Sequence, residues 1–326
     1  MTEDSKKQPF IDHTDELPEN ACRFSFNAMA TVFEIIMIHD DRKYAEQCAH
    51  QAFTELDRLE QELSRFIENS DISRINNSKA GQSIIIGPDT FRCLLMCKDI
   101  YNITNKAFDI TYRSMPERGT EIAAGKIPGN KLSVSNDKTG MHLLELGNDS
   151  FTVKLNADNI NLDLGGFGKG YAVDFILDIL LEWEINCALI NGGSSSVFAV
   201  GTPPDEKGWQ VRLRDPDNFE HIISDLYLKN CGVSGSGIRK GQHIIDPRTG
   251  LPVSGKSAAW AVCKTAAVSD ALSTAFMIMS PEEINELCKN NEDIQAVIIT
   301  KGNEDKVEIL RFGEVKDNIP NINPLK

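Results

Sequence analysis

Leu162-Asp163-Leu164-Gly165-Gly166-Phe167-Gly168-Lys169-Gly170-Tyr171-Ala172-Val173-Asp174 is the stretch on which the reading of this chain turns. It sets an acid, four glycines and a lysine at the start of an apolar helical run, Tyr171, Ala172, Phe175, Ile176, Ile179 and Leu180, that ends near Trp183. Glycines let a backbone approach a ligand closely, a helix N-terminus offers unbonded amides, and Lys169 adds a point charge. That combination suits phosphate. It is not a Walker A loop, because Asp163 replaces the first glycine and Gly170 the final Ser/Thr, and it does not fit G-x-G-x-x-G. On this segment alone, a turn that serves only close packing is an equal reading.

Working outward, Ala188-Leu-Ile190 reads as a buried strand, followed by Asn191-Gly-Gly-Ser194-Ser-Ser196, which is either an anion nest or a tight turn. The chain is then strand-rich to about Cys263. Helices are expected near 269–279 and 281–289, with strands over Ala296–Thr300 and Val307–Phe312. Upstream, Phe24–Phe26 and Val32–Ile38 read as strands flanking Asn27–Thr31. Ala45, Cys48, Ala52, Leu56, Leu59 and Leu63 recur at helical spacing over 41–65, and a further helix opens at Pro88, where proline is tolerated in the first turn. Residues 1–20, polar and carrying Pro9 and Pro18, are expected to be a mobile tail. With no repeat, low-complexity block or linker, the expected fold class is α+β: one intertwined domain over 21–326, mixed sheets with packed helices.

Composition narrows the function classes. The 326 residues are 41% hydrophobic, enough for a sizeable core, and the formal net charge is −14. Such a balance argues against nucleic acid or an anionic membrane as partner, and any phosphate ligand needs locally placed cations. The eight scattered cysteines lack metal or redox spacing and read as reduced thiols packed as small hydrophobes. No apolar run follows the start and none reaches membrane-spanning length, so a cytoplasmic protein is expected.

Three further places carry chemistry. In Ser269-Asp270-Ala-Leu-Ser273-Thr274, a helix puts the Asp270 carboxylate and Thr274 hydroxyl on one face, two hard oxygens suited to Mg²⁺. The competing reading makes Ser269 or Asp270 a helix cap, with Thr274 bonded back to a carbonyl. In Gln242-His243-Ile-Ile-Asp246-Pro-Arg-Thr-Gly250, turn chemistry accounts for Asp246, Pro247 and Gly250 but not for His243, a phosphate ligand or proton carrier unless it is structural. Phe66 and Phe108 are rings able to stack on an aromatic ligand or to fill core.

Taken together and in order, these segments resemble the FAD:protein FMN transferase family, the ApbE-type flavin transferases. The resemblance runs from about Arg23 to Gly313 and is carried by Ala28-Met29-Ala-Thr31, Leu63-Ser-Arg-Phe66 with Asp71-Ile-Ser-Arg74, Ala107-Phe108-Asp109, Asp163 to Asp174, His243 to Gly250, and Asp270 to Thr274. It implies a catalytic domain in which FAD, the substrate, lies against Met29, Phe66, Ala107, Phe108 and Asp109, with Asp163, Lys169 and His243 at the nucleotide. It further implies Mg²⁺ held by the Gly166 carbonyl, Asp270 and Thr274, with Ser273 nearby. The implied reaction moves FMN from FAD to a Thr or Ser hydroxyl of a partner flavoprotein and releases AMP, with His243, Asp270 and Lys169 as catalytic groups. An FAD pyrophosphatase and a non-catalytic FAD-binding protein are the alternatives. Phe66 stands where the family often has Tyr, and Gly-Gly-Ser-Ser-Ser replaces the commoner Gly-Gly-Asp/Asn.

Overall fold

The computed structural model describes residues 11–13, 17–113, 139–238, 244–301 and 307–313. Its centre is an eight-stranded sheet in the spatial order Val307–Phe312, Gln295–Lys301, Lys256–Cys263, Cys231–Gly237, Ser196–Val200, Ala188–Gly192, Thr31–Ile38, Ala21–Ala28. Every neighbouring pair is antiparallel. The helices are α1 (Arg42–Leu63), α2 (Asp71–Asn76), α3 (Pro88–Ile103), α4 (Gly168–Glu182), α5 (Ala266–Ile278) and α6 (Pro281–Asn290).

Side chains alternate across a strand, so each strand feeds both faces of the sheet. On one face Phe33, Ile35, Ile190, Ala259 and Ala261 share a core with Leu56 and Leu59 of α1, Ile176 and Leu180 of α4, and Leu272 and Phe276 of α5. On the other, Ile36, Leu189, Val233, Trp260 and Val262 pack against a three-stranded sheet of Ile11–His13, Trp209–Arg214 and Ile222–Leu228. All eight residues of Lys256–Cys263 are buried, as a strand covered on both faces requires. The architecture is the expected α+β unit, with helices on one side and a small sheet on the other.

Two boundaries differ from the sequence reading. Ile11–His13 is not a free tail: it pairs with Val211–Leu213 at the edge of the small sheet, and Ile11 is 1% exposed. One buried isoleucine and three ladder residues outweigh the polar setting around them. Helix α5 starts three residues before the expected position, because the Thr265 hydroxyl accepts from the Val268 amide and takes the N-cap. Ser269 and Asp270 therefore lie inside the helix and do not cap it.

Candidate active site

Helices α4 and α5 cross closely, and two acids fasten them. Asp174 of α4 accepts from the amides of Ala266 (2.7 Å) and Ala267 (2.8 Å) at the start of α5. In return, Asp270 Oδ2 of α5 accepts from the Gly170 amide of α4 at 3.0 Å. The approach demands glycine, since a Cβ on Gly170 would stand 2.2 Å from the Ala266 carbonyl oxygen and 2.7 Å from the Asp270 Cβ. Burial raises the Asp174 carboxyl to about 7, against the opposing pull of its two amide donors. Asp174 thus binds the first amides of α5 from α4, and the remaining polar groups of the glycine run lie nearer its beginning.

There, α4 has no side-chain N-cap. Lys169 Nζ lies 3.6 Å from Asp270 Oδ2 and donates to the Gly165 carbonyl at 3.4 Å. Asp270 is 2% exposed, and within the described residues this lysine is its ion-pair partner. Gly166 lies against Thr274, where a Cβ would come within 3.0 Å of Oγ1. Gly166, Lys169, Asp270, Ser273 and Thr274, drawn from segments about a hundred residues apart, therefore meet at one place.

Behind them runs a set of hydroxyls. Ser234 and Ser236 alternate with Gly235 and Gly237 on the strand Cys231–Gly237, so both face α5. Ser234 Oγ is 2.7 Å from Ser269 Oγ, and Ser236 Oγ is 2.8 Å from Ser273 Oγ and 3.1 Å from Thr274 Oγ1. Spacing of two on a strand meets spacing of four on a helix. Thr274 engages Ser236, whereas Ser269 and Ser273 bond back to the carbonyls of Ala266 (3.0 Å) and Asp270 (2.9 Å). The sequence reading passed over Ser236; its signal was the Ser-Gly-Ser-Gly alternation.

Asp163 opens the other flank. Its Oδ1 accepts from the Gly165 amide at 2.9 Å and its Oδ2 is 3.4 Å from Arg65 Nε. Arg65, which the sequence reading gave no role, also lies over the rings of Phe66 (4.5 Å) and Tyr112 (5.7 Å) and donates to the Tyr112 hydroxyl at 3.0 Å. Phe66 is 82% exposed, an uncommon setting for a phenylalanine and one that leaves a ring available for stacking. The segment 107–109 runs alongside, since the Asp163 amide donates to the Ile110 carbonyl at 2.8 Å. Ala107 and Phe108 are buried, and the Phe108 ring packs at 6.3 Å from Phe167, so Phe108 does not offer a face to a ligand. Asp109 accepts from the amide and hydroxyl of Thr111, both at 2.8 Å, and burial raises its carboxyl to about 6.

Met29 sits at the tip of the hairpin joining Ala21–Ala28 to Thr31–Ile38. Met29 and Ala30 have φ of 50° and 57°, a pair of left-handed residues of the kind that tight hairpins usually fill with Asn-Gly. Gly193 packs on this tip, where a Cβ would meet Thr31 Oγ1 at 2.4 Å, and Gly192 packs on α4 beside the Lys169 carbonyl. Met29 is half-buried and packs against the core on the helix side of the sheet. His243 lies outside the described residues. The turn after it is anchored: Arg248 pairs with Asp246 (3.1 Å) and with Glu283 (2.8 Å), the acid of the α6 capping box.

The residues present fit a magnesium ion. Asp270, Thr274 and the Gly166 backbone are hard oxygen donors with a single carboxylate among them, which suits an ion that keeps waters and substrate phosphate in its shell. No group of three or more His, Cys, Asp or Glu with metal-site geometry occurs among the described residues. No helix of the described residues is long and apolar enough to cross a membrane.

Comparison with known proteins gives these features a context. The ApbE family model matches residues 29–298. The chain is 25% identical over 315 residues to the FAD:protein FMN transferase of Escherichia coli (strain K12), covering 91% of this chain and 88% of that protein. It is also 25% identical over 257 residues to the FAD:protein FMN transferase of Chlamydia muridarum, covering 74% and 78% respectively. Among solved structures it is similar to the flavin transferase ApbE from Vibrio cholerae, with TM-score 0.73 at 19% identity over 90% of this chain and 97% of that one. The apo form of Pseudomonas stutzeri flavinyl transferase ApbE superposes with TM-score 0.74 at 21% identity, over 90% and 94%. At such identities the solved structures speak for the fold, while the family model, spanning well over half of the sequence, speaks for descent: the chain belongs to the ApbE family.

Proposed function

We propose that this chain works as its named relatives do, as an FAD:protein FMN transferase, with a catalytic domain that includes the Ile11–His13 strand. In the reaction, the oxygen of an acceptor Thr or Ser hydroxyl bonds to the FMN phosphorus of FAD. The bond from that phosphorus to the bridging oxygen breaks, AMP leaves with the bridging oxygen, and the hydroxyl proton passes to a base. The observation that carries the reading is the meeting of Gly166, Asp270 and Thr274 with Lys169 at the start of α4. Phosphoryl transfer asks mainly for positioning and for cancellation of negative charge, which is what this group of residues is built to do.

Each residue has a part. Asp270, Thr274 and the Gly166 carbonyl would hold Mg²⁺, with Ser273 behind them, and the ion when bound supplies Lewis-acid polarisation of the phosphoryl oxygens. Lys169 places its charge beside Asp270 and so supplies local positive charge in a chain of net charge −14. Arg65 holds Asp163 and, with Phe66 and Tyr112, presents an aromatic edge for the flavin ring. His243 is the proton carrier for the incoming hydroxyl or departing AMP. Met29 and Asp109 complete the flavin contacts. The eight cysteines are unpaired and seven are buried, which agrees with a cytoplasmic working place.

The test is to incubate the protein with FAD, Mg²⁺ and a candidate acceptor flavoprotein and to follow acceptor mass and free AMP. An FMN-sized mass increase with matching AMP is expected. AMP with an unmodified acceptor would make the protein a pyrophosphatase, and bound FAD with neither product would leave a flavin-binding protein.

A further inference from the structure

The three hydroxyls behind the site fix one another's direction. A hydroxyl has one hydrogen to give, and a carbonyl oxygen can only accept. Ser273 Oγ is 2.9 Å from the Asp270 carbonyl oxygen, so its hydrogen is committed there. At the 2.8 Å contact, Ser273 must then accept, and Ser236 donates. With that hydrogen spent, Ser236 can only accept at its 3.1 Å contact with Thr274, and Thr274 donates. The Thr274 hydrogen is thereby turned toward the strand, leaving both lone pairs of the oxygen for its other sides, among them the one where a Cβ on Gly166 would come within 3.0 Å.

We infer that Ser236 is a positioning residue for cation binding: it accepts the Thr274 hydrogen and so presents a lone pair of Thr274 Oγ1, and not its O–H, to a divalent ion. The inference rests on the proposed metal role of Asp270 and Thr274. A neutral hydroxyl can ligate a cation only through a lone pair, so a group that takes its hydrogen from behind determines whether it binds at all. Outer partners of this kind typically change metal affinity by about 10–100-fold when removed. Ser234 provides an internal control two residues away. Ser269 gives its hydrogen to the Ala266 carbonyl at 3.0 Å, so Ser234 donates to Ser269 at 2.7 Å and the pair closes without reaching Thr274.

The experiment is titration of Mn²⁺ into the full chain, with and without FAD, reading free Mn²⁺ by electron paramagnetic resonance. Ser236→Ala, Ser236→Thr, Ser234→Ala and Asp270→Ala are compared with the parent, each checked for the parent's circular dichroism. The parent should bind one Mn²⁺, and Asp270→Ala should abolish that binding. Ser236→Ala should weaken it by roughly tenfold or more, Ser236→Thr should restore it, and Ser234→Ala should leave it unchanged. In turnover, Ser236→Ala should raise the Mg²⁺ concentration needed for half-maximal rate by a similar factor without moving the KM for FAD. Unchanged Mn²⁺ affinity in Ser236→Ala, with Asp270→Ala inactive in binding, overturns the inference alone. Equal weakening in Ser234→Ala also overturns it, by making the effect one of packing. Failure of Asp270→Ala to change binding brings down the metal reading itself.

Discussion

The two faces of the central sheet are made by the same strands and do different work. The strand Cys231–Gly237 sends Cys231 and Val233 to the small-sheet side, where Gly235 leaves room for the Trp260 indole at 2.6 Å from its ideal Cβ. The same strand sends Ser234 and Ser236 toward α5. One side is an apolar core around Trp260. The other buries Asp270, Ser269 and Ser273, each with a hydrogen-bond partner. Buried polar groups are tolerated when satisfied, and they then hold one geometry. The contrast teaches that apolar packing lies on both sides of the sheet, while the buried, hydrogen-bonded polar cluster lies on the helix side alone of the two faces of this strand.

Mutations should separate the two. Trp260→Ala on the small-sheet side removes a fully buried indole and should cost about 3–5 kcal/mol of stability by denaturant unfolding. Its folded fraction should keep the Mg²⁺ requirement proposed for the parent, and a changed requirement would break the division. Asp270→Ala should reverse the pattern, lowering turnover by on the order of a hundredfold, near 2.7 kcal/mol of barrier. Its melting temperature should fall less than that of Trp260→Ala, by the loss of the single Gly170 amide bond and the Lys169 pairing.

Asp174→Asn tests the helix side without touching the proposed chemistry. The folded-state pKa of Asp174 is raised to about 7, so its contribution to stability is present below about 4 and is lost as pH rises through 7. Asp109, raised to about 6, acts in the same sense. Stability of the parent should therefore fall across pH 4 to 7, and Asp174→Asn should flatten that slope while turnover persists. Loss of the metal requirement in this variant would mean that the helix crossing and the site are not separable. The smallest stability effect belongs to Phe66→Ala, within about 0.5 kcal/mol for so exposed a side chain. Its FAD affinity should drop by roughly tenfold if the ring stacks on flavin, and an unchanged affinity would remove Phe66 from the site.

What could be read from the sequence divides along the same line of local against distant. The helical spacing over 41–65, the proline at 88 and the apolar run after Gly168 each specify their element, because the signal and the structure lie in the same few residues. Asp270 and Thr274 were legible as a pair for the same reason. Ser236 was not, since its meaning depends on a strand pairing with Lys256–Cys263 and on α5 crossing above it. Asp174 and Asp163 look alike at the two ends of one motif, yet one binds the first amides of α5 and the other meets Arg65. Only the fold tells them apart. Ile11 was missed because its partner strand begins about two hundred residues later.

The hydroxyls of Ser273, Ser236 and Thr274 have one more property. None of them ionises between acid and strongly alkaline conditions, so the direction of their hydrogens carries no charge and does not change with proton concentration. A histidine in the place of Ser236 would tie the grip on a cation to a titration near neutrality. With serine there, the orientation of Thr274 is the same in an acid-stressed cell as in a resting one.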